Sequence, residues 1–387
     1  MRLHSQWCAE RIAPRQMLFC GLLMAAALMV CGCNDPKGEI AVAASDAAGT
    51  AAGTANPMDR LLGDVYEPWM PVREAIVELA ARGGVEKVNF EVEAKGDFTV
   101  PLPAEMTVGE ALRTAAALSG LAVEVSGDTV TVRSGERCSW HGLVGAMEQT
   151  IEVSGYRGSV LMPKNRHGSG PVPWVWYAPH SMWPHHAWMV KQLMAEGVAV
   201  ASLSAGETYG SPQGREAFTA FYEKVVPRLG LTKKAVLLAQ SRGGLMLYNW
   251  AAEHPDCVAA VGGMYPWCNL QESNEWIARA YGMKEEELNS ELAHHNPVER
   301  LEPLAKAGVS IFHIHGDKDD VLPVAQHSAL LVDRYGKLGG DARLEIISGG
   351  SHEVGIRFFR SQKLTDFLIA QAKAGLTRER GEQKADR

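Results

Sequence analysis

The strongest constraint on the fold is a regular alternation of short apolar runs with helical segments between residues 140 and 375. The apolar runs are WVWYA at 174–178, then VAVASLS, AVLLAQ, VAAVGGMYP, SIFHIHG and RLEIIS. Short apolar strands that alternate with helices form a parallel sheet with right-handed crossovers. The sequence therefore predicts an α/β fold with a doubly wound, mostly parallel sheet at 140–375. Residues 266–297 interrupt the alternation and predict a helical cap over one edge of that sheet.

The N-terminus has the pattern of a targeting segment. Arg11 and Arg15 precede an apolar run at 17–30, which is too short to span a bilayer comfortably and suits the core of a signal peptide. The run ends in VCGC, which resembles a bacterial lipobox; an ordinary secretion signal is the alternative. We expect residues 1–33 to be a lipoprotein signal peptide. Cys33 would carry the lipid, and the exported protein would be attached to a membrane of the bacterial cell envelope.

Two further segments precede the predicted sheet. Residues 34–58 are rich in Ala, Gly, Thr and Ser and predict a flexible linker. Residues 60–135 have the order helix–strand–strand–helix–strand–strand, with a capping box at Thr107 and Glu110. That order resembles the short N-terminal domain of secretins and TonB-dependent receptors. It implies a small α+β spacer or docking domain with an envelope protein as its partner. We expect a disordered tail at 376–387.

Composition and cysteine spacing exclude several classes. The formal net charge is −7 and no long basic run appears, so nucleic acid is not an expected partner. Cys138, Cys257 and Cys268 would remain after export, in no CxxC spacing, and Cys257–Cys268 is a conceivable disulfide. We expect no metal and no cofactor, because the histidine clusters lack a carboxylate partner set. Those clusters are His180, His185 and His186, and the pair His313 and His315.

The segment LLAQSRGGL, at 237–245, follows a predicted buried strand and begins a predicted helix. A strained strand-to-helix turn that exposes a nucleophilic serine needs small residues two positions before and two positions after it. Ala239 and Gly243 hold these positions around Ser241. By itself, the pattern is equally typical of a turn serine without a catalytic role.

Two later loops offer an acid and an imidazole. HIHGDKDDVLP, at 313–323, follows a strand and carries Asp319 three residues after its glycine, with Asp320 as an alternative acid. ISGGSHEVG, at 347–355, carries His352 after a flexible turn. A carboxylate can orient an imidazole and stabilise its charged form, and the imidazole can take a proton from a serine.

The chain order Ser241, Asp319, His352 resembles the α/β-hydrolase superfamily. The stretch NPVERLEPLAKAGVSIFHIHGDKDDVLP is similar to its prolyl-oligopeptidase-like and carbohydrate-esterase branch. The Ser–Arg pair also resembles glucuronoyl esterases, but Leu245 stands where those enzymes carry a lysine. Oligopeptidases carry a long propeller domain before the hydrolase, whereas only about 75 globular residues precede this one.

The resemblance implies an oxyanion hole made of two backbone N–H groups. One is the N–H of Arg242, directly after the nucleophile. The second is expected in PHSMW, from His180 or Ser181, because Pro179 has no N–H. The segment GETYGSP, at 206–212, resembles the loop that supports this pocket.

Trp183 and Trp267 are candidate substrate-binding residues that could stack on sugar rings, as could the other tryptophans of the same region. These are Trp174, Trp176 and Trp188. Packing in the core or under a lid is the alternative interpretation. The Arg242 side chain would bind a substrate carboxylate or form a structural ion pair.

Together these patterns predict a serine hydrolase that cleaves a carboxylic ester, with a carbohydrate or another small molecule as the ester substrate. A serine peptidase of the same fold is one alternative. A non-catalytic envelope scaffold is the other.

Overall fold

The structure, a computed structural model, describes residues 38–41, 56–165, 170–270 and 275–385. The predicted signal peptide, including Cys33, lies outside the described residues, so its removal and lipidation stay predictions. Within the described ranges, no helix is both long and apolar enough to cross a membrane.

The N-terminal part forms a small module with its own sheet and two helices. Its elements are β1 (Gly38–Ala41), β2 (Met70–Pro71), α1 (Val72–Arg82), β3 (Lys87–Phe90), β4 (Asp97–Phe98), α2 (Val108–Leu118), β5 (Leu121–Ser126) and β6 (Thr129–Ser134). The helix–strand–strand–helix–strand–strand order predicted for 60–135 is confirmed, and the two-residue strand β2, which was not predicted, precedes it. The capping box between Thr107 and Glu110 and the β5–β6 hairpin are confirmed as well. The sheet order is β1–β3–β6–β5, and the buried apolar residues of both helices contribute to one core.

The predicted linker at 34–58 is wrong in its described parts. Gly38–Ala41 pairs antiparallel with β3, and Met58 is buried in the core of the module. Composition does not indicate this strand, because a strand joins an open sheet edge through its backbone N–H and C=O groups. Such pairing requires no particular side-chain pattern.

The predicted disordered tail at 376–387 is also wrong in its described part, because the last helix continues to Ala385. The residues TRERGEQKA that form its end are mostly good helix formers. A polar sequence at the end of a chain can therefore extend a helix that already packs on the core.

The second unit is built on a sheet whose order, over the described residues, is β14–β13–β12–β11–β9–β10–β8–β7. The strands are β7 (Ala146–Val153), β8 (Tyr156–Pro163), β9 (Trp174–Ala178), β10 (Ala199–Ser204), β11 (Ala235–Gln240), β12 (Val258–Met264), β13 (Ser310–Gly316) and β14 (Ala342–Ile347). Strands β9 to β14 pair in parallel, so the predicted mostly parallel sheet is confirmed. The antiparallel β7–β8 hairpin was not predicted, because β7 is an edge strand with few buried positions.

Helices cover both faces of this sheet and form a cap at one edge. They are α3 (Ala187–Ala195), α4 (Pro212–Leu229), α5 (Gly243–Glu253), α6 (Glu275–Ala280), α7 (Glu285–Ser290), α8 (Leu292–His295), α9 (Glu302–Lys306), α10 (Ser328–Lys337), α11 (Ile356–Phe359) and α12 (Gln362–Ala385). Alternate residues of β9 enter different cores, with Trp174 and Trp176 on one face and Val175 and Tyr177 on the other. Both sets are buried, which explains why the strand reads as a continuous apolar run.

The region 266–297 contains the helices α6, α7 and α8, as its break in the alternation predicted. They form a third apolar cluster with the loop before α4 and with the start of α5. Tyr281 donates a hydrogen bond from its hydroxyl to the carbonyl oxygen of Tyr209, at 2.7 Å, and so ties this cap to that loop.

Cys257 and Cys268 do not form the conceivable disulfide, and Cys138 is a free thiol too. Cys257 lies just before β12 and Cys268 lies beyond its other end. A strand of that length separates its flanking residues by about 20 Å, far more than a disulfide can bridge.

The N-terminal module contacts the second unit beside α11. The Arg360 guanidinium donates hydrogen bonds to the carbonyl oxygens of Glu67, at 3.0 Å, and Pro68, at 2.9 Å. The rings of Trp69 and Phe359 lie 6.2 Å apart between centroids. The module therefore contacts the segment that follows the His352 loop in the chain.

Candidate active site

Ser241 occupies a tight turn between β11 and α5, in a left-handed backbone conformation with φ of 48°. A side chain on Gly243 would approach the carbonyl oxygen of Ala178 to 2.3 Å, and one on Gly244 would approach that of Trp267 to 2.4 Å. The turn therefore requires glycine after the serine, because neighbouring backbone fills the space that a Cβ would need. Such a turn holds the Ser241 side chain out at the carboxyl edge of the sheet.

The structure brings the three predicted residues into one hydrogen-bonded line. Ser241 Oγ lies 2.9 Å from His352 Nε2, and His352 Nδ1 lies 2.9 Å from Asp319 Oδ2. A carboxylate only accepts hydrogen bonds, so Nδ1 carries the proton and Nε2 is free to accept from the serine hydroxyl. This is the protonation state in which an imidazole can act as a general base.

Asp319 is almost fully buried, with 6% of its surface exposed, and four donors surround its carboxylate. Oδ1 accepts from the backbone N–H groups of Val321 and Leu322, Oδ2 accepts from His352, and His315 Nε2 lies 3.2 Å from Oδ2. Burial alone would raise the pKa of Asp319. The hydrogen bonds from His315, His352 and Leu322 outweigh that effect and hold the pKa well below its usual range.

Gln240 and Tyr265 support the line from one side, and the sequence analysis did not identify either residue. Tyr177 donates to Gln240 Oε1 at 2.6 Å, and Gln240 Nε2 donates to the Tyr265 hydroxyl at 3.1 Å. That hydroxyl donates to the carbonyl oxygen of Glu353 at 3.1 Å, and its ring lies 4.6 Å from the His352 ring. Because Gln240 precedes Ser241 directly, these bonds join the serine turn to the histidine loop.

The predicted oxyanion donors lie around the same turn. Arg242 is the N-cap of α5, and the first N–H groups of a helix have no acceptor within it. His180 and Ser181 follow β9, whose last residue contacts Gly243. The Ser181 hydroxyl lies 3.0 Å from that of Ser204. Which of these N–H groups would face an oxyanion stays a prediction.

The Arg242 side chain forms an ion pair, with Nε 2.8 Å from Glu207 Oε2. Glu207 belongs to the predicted supporting loop at 206–212 and was not singled out from the sequence. Gly210 of that loop adopts φ of 75°, and a Cβ there would lie 2.1 Å from the carbonyl oxygen of Leu245. The loop therefore lies directly on α5, and its carboxylate holds the arginine beside Ser241.

The tryptophans fall into two groups. Trp174 and Trp176 are completely buried and pack with the aromatic rings of α4 and α5, so they belong to the core. Trp183 is 52% exposed and stacks on His180 with 4.3 Å between ring centroids. Trp267 is partly buried and neighbours Trp276, which is 49% exposed. The exposed faces next to the site thus belong to Trp183 and Trp276.

His185 and His186 are packing residues, with both rings against Phe359. Burial lowers the pKa of His185 to about 4, and a neighbouring histidine adds to the effect. Over the described residues, no group of three or more His, Cys, Asp or Glu side chains is arranged to hold a metal ion.

Comparison with known proteins finds a family model that matches part of the chain and solved structures of similar fold. Residues 224–374 match the model of the prolyl oligopeptidase family, a span that contains Ser241, Asp319 and His352. A puromycin-hydrolysing peptidase from Mycobacterium tuberculosis superimposes with a TM-score of 0.50 at 14% identity, over 66% of this chain and 43% of that one. The chain has the α/β-hydrolase fold.

Other solved structures with this hydrolase fold are similar. Dipeptidyl peptidase 4 of Porphyromonas gingivalis has a TM-score of 0.48 at 13% identity, with 58% of this chain but only 35% of that chain covered. A truncated carbohydrate esterase from gut microbiota has a TM-score of 0.48 at 16% identity, with 59% of this chain and 98% of that chain covered. Among curated proteins, no sequence matches.

Replacing Gly243 by alanine tests the close packing of the turn. The added Cβ would meet the backbone of Ala178, which cannot move aside as a side chain can. We expect Gly243→Ala to lower the free energy of unfolding by about 1–3 kcal/mol and to reduce kcat by about a hundredfold through misplacement of the serine. Urea denaturation and ester turnover measure the two effects.

Gly336→Ala in α10 is the matched control, because nothing lies within 4 Å of the position of its Cβ. It should leave turnover unchanged and stabilise by about 0.5–1 kcal/mol, as alanine does within helices. Equal behaviour of the two variants would contradict the packing argument.

Asp319 should make the stability of the folded chain depend on pH. Its pKa in the folded chain lies below the unfolded value of about 3.9. It therefore contributes stability that is present above about pH 4 and is lost as the pH falls towards the folded pKa. We expect the stability difference between wild type and Asp319→Asn to shrink between about pH 5 and about pH 2. Urea denaturation across this range measures it, and a constant difference would refute the argument.

Proposed function

We propose that the chain is a serine hydrolase that cleaves a carboxylic ester. The observation that carries the proposal is the line of hydrogen bonds from Ser241 through His352 to Asp319, at 2.9 Å for both links. A serine in a turn without a catalytic role needs neither an imidazole acceptor nor a buried carboxylate behind it.

In the first half of the reaction, Ser241 Oγ attacks the ester carbonyl carbon while His352 Nε2 takes the hydroxyl proton. The carbonyl oxygen becomes an oxyanion, which the backbone N–H of Arg242 and one N–H from His180 or Ser181 stabilise. The imidazolium, held at Nδ1 by Asp319, then gives its proton to the alcohol oxygen. The carbon–oxygen bond to the alcohol breaks, and the acyl group stays on Ser241.

In the second half, water takes the place of the alcohol. His352 Nε2 removes a proton from the water as its oxygen attacks the acyl carbon. The second tetrahedral intermediate collapses, the proton returns to Ser241 Oγ, and the carboxylic acid leaves. Because Asp319 stays ionised throughout, it stabilises each imidazolium without taking a proton itself.

We infer that the substrate is a carbohydrate ester. Trp183 and Trp276 offer large exposed ring faces near the site, and planar aromatic faces suit the apolar faces of sugar rings. The Trp276 ring packs edge-on against the Tyr209 ring, with 5.0 Å between ring centroids. The Arg242–Glu207 ion pair supplies polar groups beside the serine for sugar hydroxyls.

A peptidase is the second candidate function. The family whose model matches residues 224–374 is a peptidase family, and a triad of this geometry can acylate from an amide as well as from an ester. The amine of an amide is a poorer leaving group than the alcohol of an ester, so amide hydrolysis needs efficient protonation of that amine. The triad is compatible with both reactions.

We also propose that the protein is an exported lipoprotein of the bacterial cell envelope, held to the membrane through Cys33, with residues 60–135 as a docking module for an envelope partner. The pattern of 1–33 supports export. The small module carries none of the three triad residues, which supports a role other than catalysis.

A substrate panel tests the enzymatic proposal. Acetylated, feruloylated and glucuronoyl sugars are compared with aminoacyl and prolyl amides, using wild type and Ser241→Ala. We expect turnover of at least one sugar ester, and a loss of about a thousandfold or more in Ser241→Ala. Turnover of the amides alone would replace the esterase proposal with the peptidase.

Labelling with a fluorophosphonate probe separates both enzymes from a non-catalytic scaffold. Wild type should react at Ser241, and Ser241→Ala should not. If the two proteins are labelled equally, the serine-hydrolase proposal is wrong.

Fractionation tests the anchor. In a bacterial host, the full-length protein should sediment with membranes, and Cys33→Ser should appear in the soluble fraction because the acyl chains are missing. Cys31→Ser is the matched control and should remain with the membranes. Retention of Cys33→Ser in the membrane fraction would overturn the lipid-anchor proposal.

A further inference from the structure

Behind Asp319 lies a series of buried polar side chains that the proposed mechanism does not use. His315 Nδ1 lies 2.8 Å from Ser328 Oγ, and Ser328 Oγ lies 3.0 Å from His313 Nδ1. His313 Nε2 lies 2.6 Å from the Tyr248 hydroxyl. We call His315, Ser328, His313 and Tyr248 the buried relay. Each has at most 1% of its surface exposed.

One backbone carbonyl sets the direction of every hydrogen bond in the buried relay. His315 Nε2 lies 2.8 Å from the carbonyl oxygen of Leu322, which only accepts, so Nε2 carries the proton. Nδ1 of the neutral ring must then accept from the Ser328 hydroxyl. Ser328 Oγ in turn accepts from His313 Nδ1, and His313 Nε2 accepts from the Tyr248 hydroxyl. All four groups are satisfied in one arrangement only.

A neutral His313 ring suits this arrangement. Burial, with a smaller contribution from His315, lowers the pKa of His313 to about 3. The Nε2–H of His315 therefore lies between two acceptors, the carbonyl oxygen of Leu322 at 2.8 Å and Asp319 Oδ2 at 3.2 Å, and the relay fixes the orientation of the ring.

We propose that His315 is a positioning residue of the triad, held by the buried relay so that its Nε2–H fixes Asp319 Oδ2 where His352 Nδ1–H binds. This inference rests on the proposed function. Asp319 Oδ2 is shared by His315 and His352, at 3.2 Å and 2.9 Å, so the two imidazoles flank the same oxygen. Each therefore limits where that oxygen can lie with respect to the other.

The shared oxygen has a consequence for the basicity of His352. The carboxylate divides its negative charge between two donors, so it holds a proton on His352 less strongly than it would with one. Removing the His315 donor should therefore let the carboxylate hold a proton on His352 more strongly and leave the carboxylate freer to turn.

The other groups around His352 and Asp319 do not replace this donor. Tyr265 packs on the face of the His352 ring, and its hydroxyl is engaged with Glu353 and Gln240. His327 lies near both residues, but its Nδ1 accepts from the backbone N–H of Cys268. Burial lowers the pKa of His327 to about 4, so its ring carries no charge near neutral pH.

The test measures kcat and KM for p-nitrophenyl acetate as a function of pH. His315→Leu removes the donor, and His315→Gln retains an N–H that can reach the position of Nε2. We expect His315→Leu to lower kcat about ten- to a hundredfold with KM changed less than about twofold. The acid limb of its kcat/KM profile should move to higher pH. His315→Gln should restore most of kcat and the wild-type limb.

Tyr335→Phe is the control for loss of a buried hydrogen bond, since Tyr335 donates to the carbonyl oxygen of Val309, outside the buried relay. It should lower stability without moving the acid limb, and the far-end variant Tyr248→Phe should reduce kcat less than His315→Leu. If the folded His315→Leu has the wild-type kcat and acid limb, the inference is wrong while the hydrolase stands. If His315→Leu does not fold, His315→Gln provides the test. A loss of kcat of about ten- to a hundredfold in His315→Gln, despite its retained N–H, would also refute the inference. Absence of Ser241-dependent turnover in wild type would instead overturn the proposed function.

Discussion

The close approach of three backbone segments around Ser241 is the constraint on which the active centre depends. The turn after β11 touches the end of β9 through Gly243 and the start of the cap through Gly244. Because backbone meets backbone at both points, the serine, the predicted oxyanion loop and the cap share one fixed frame. The strain of a serine at φ of 48° is tolerated since this frame leaves the residue no other conformation.

Parallel strands place the remaining groups at the same edge. β13 leads to Asp319 and β14 leads to the loop of His352, so side chains far apart in sequence meet where neighbouring strands end. The acid is buried yet ionised, because four donors compensate for the lost water. A buried charge of this kind is balanced only while every donor keeps its place.

Much of this could be read from the sequence, for physical reasons that differ between elements. The buried strands and the serine turn are local patterns, set by apolar runs and by the steric need for small residues. Gln240, Tyr265 and Glu207 could not be found in that way. Their partners lie on other strands and loops, and an ordinary polar residue carries no local sign of what it meets.

The errors follow the same division. β1 joins its sheet through backbone groups, and β7 is an edge strand with a mostly exposed pattern, so neither has an apolar signature. The assignment of Trp174 and Trp176 to the core needed the helices that cover them. An aromatic residue is suited both to the core and to a substrate-binding surface. Only its packing in the structure shows which of the two it occupies.

The contact beside α11 determines where the chain can be cut. A fragment that starts at residue 140 would look complete by its strand pattern. It would nevertheless uncover Phe359 and leave the Arg360 guanidinium without the carbonyl oxygens of Glu67 and Pro68, close to the histidine loop. The smallest useful expression fragment therefore includes the small module, whatever that module binds.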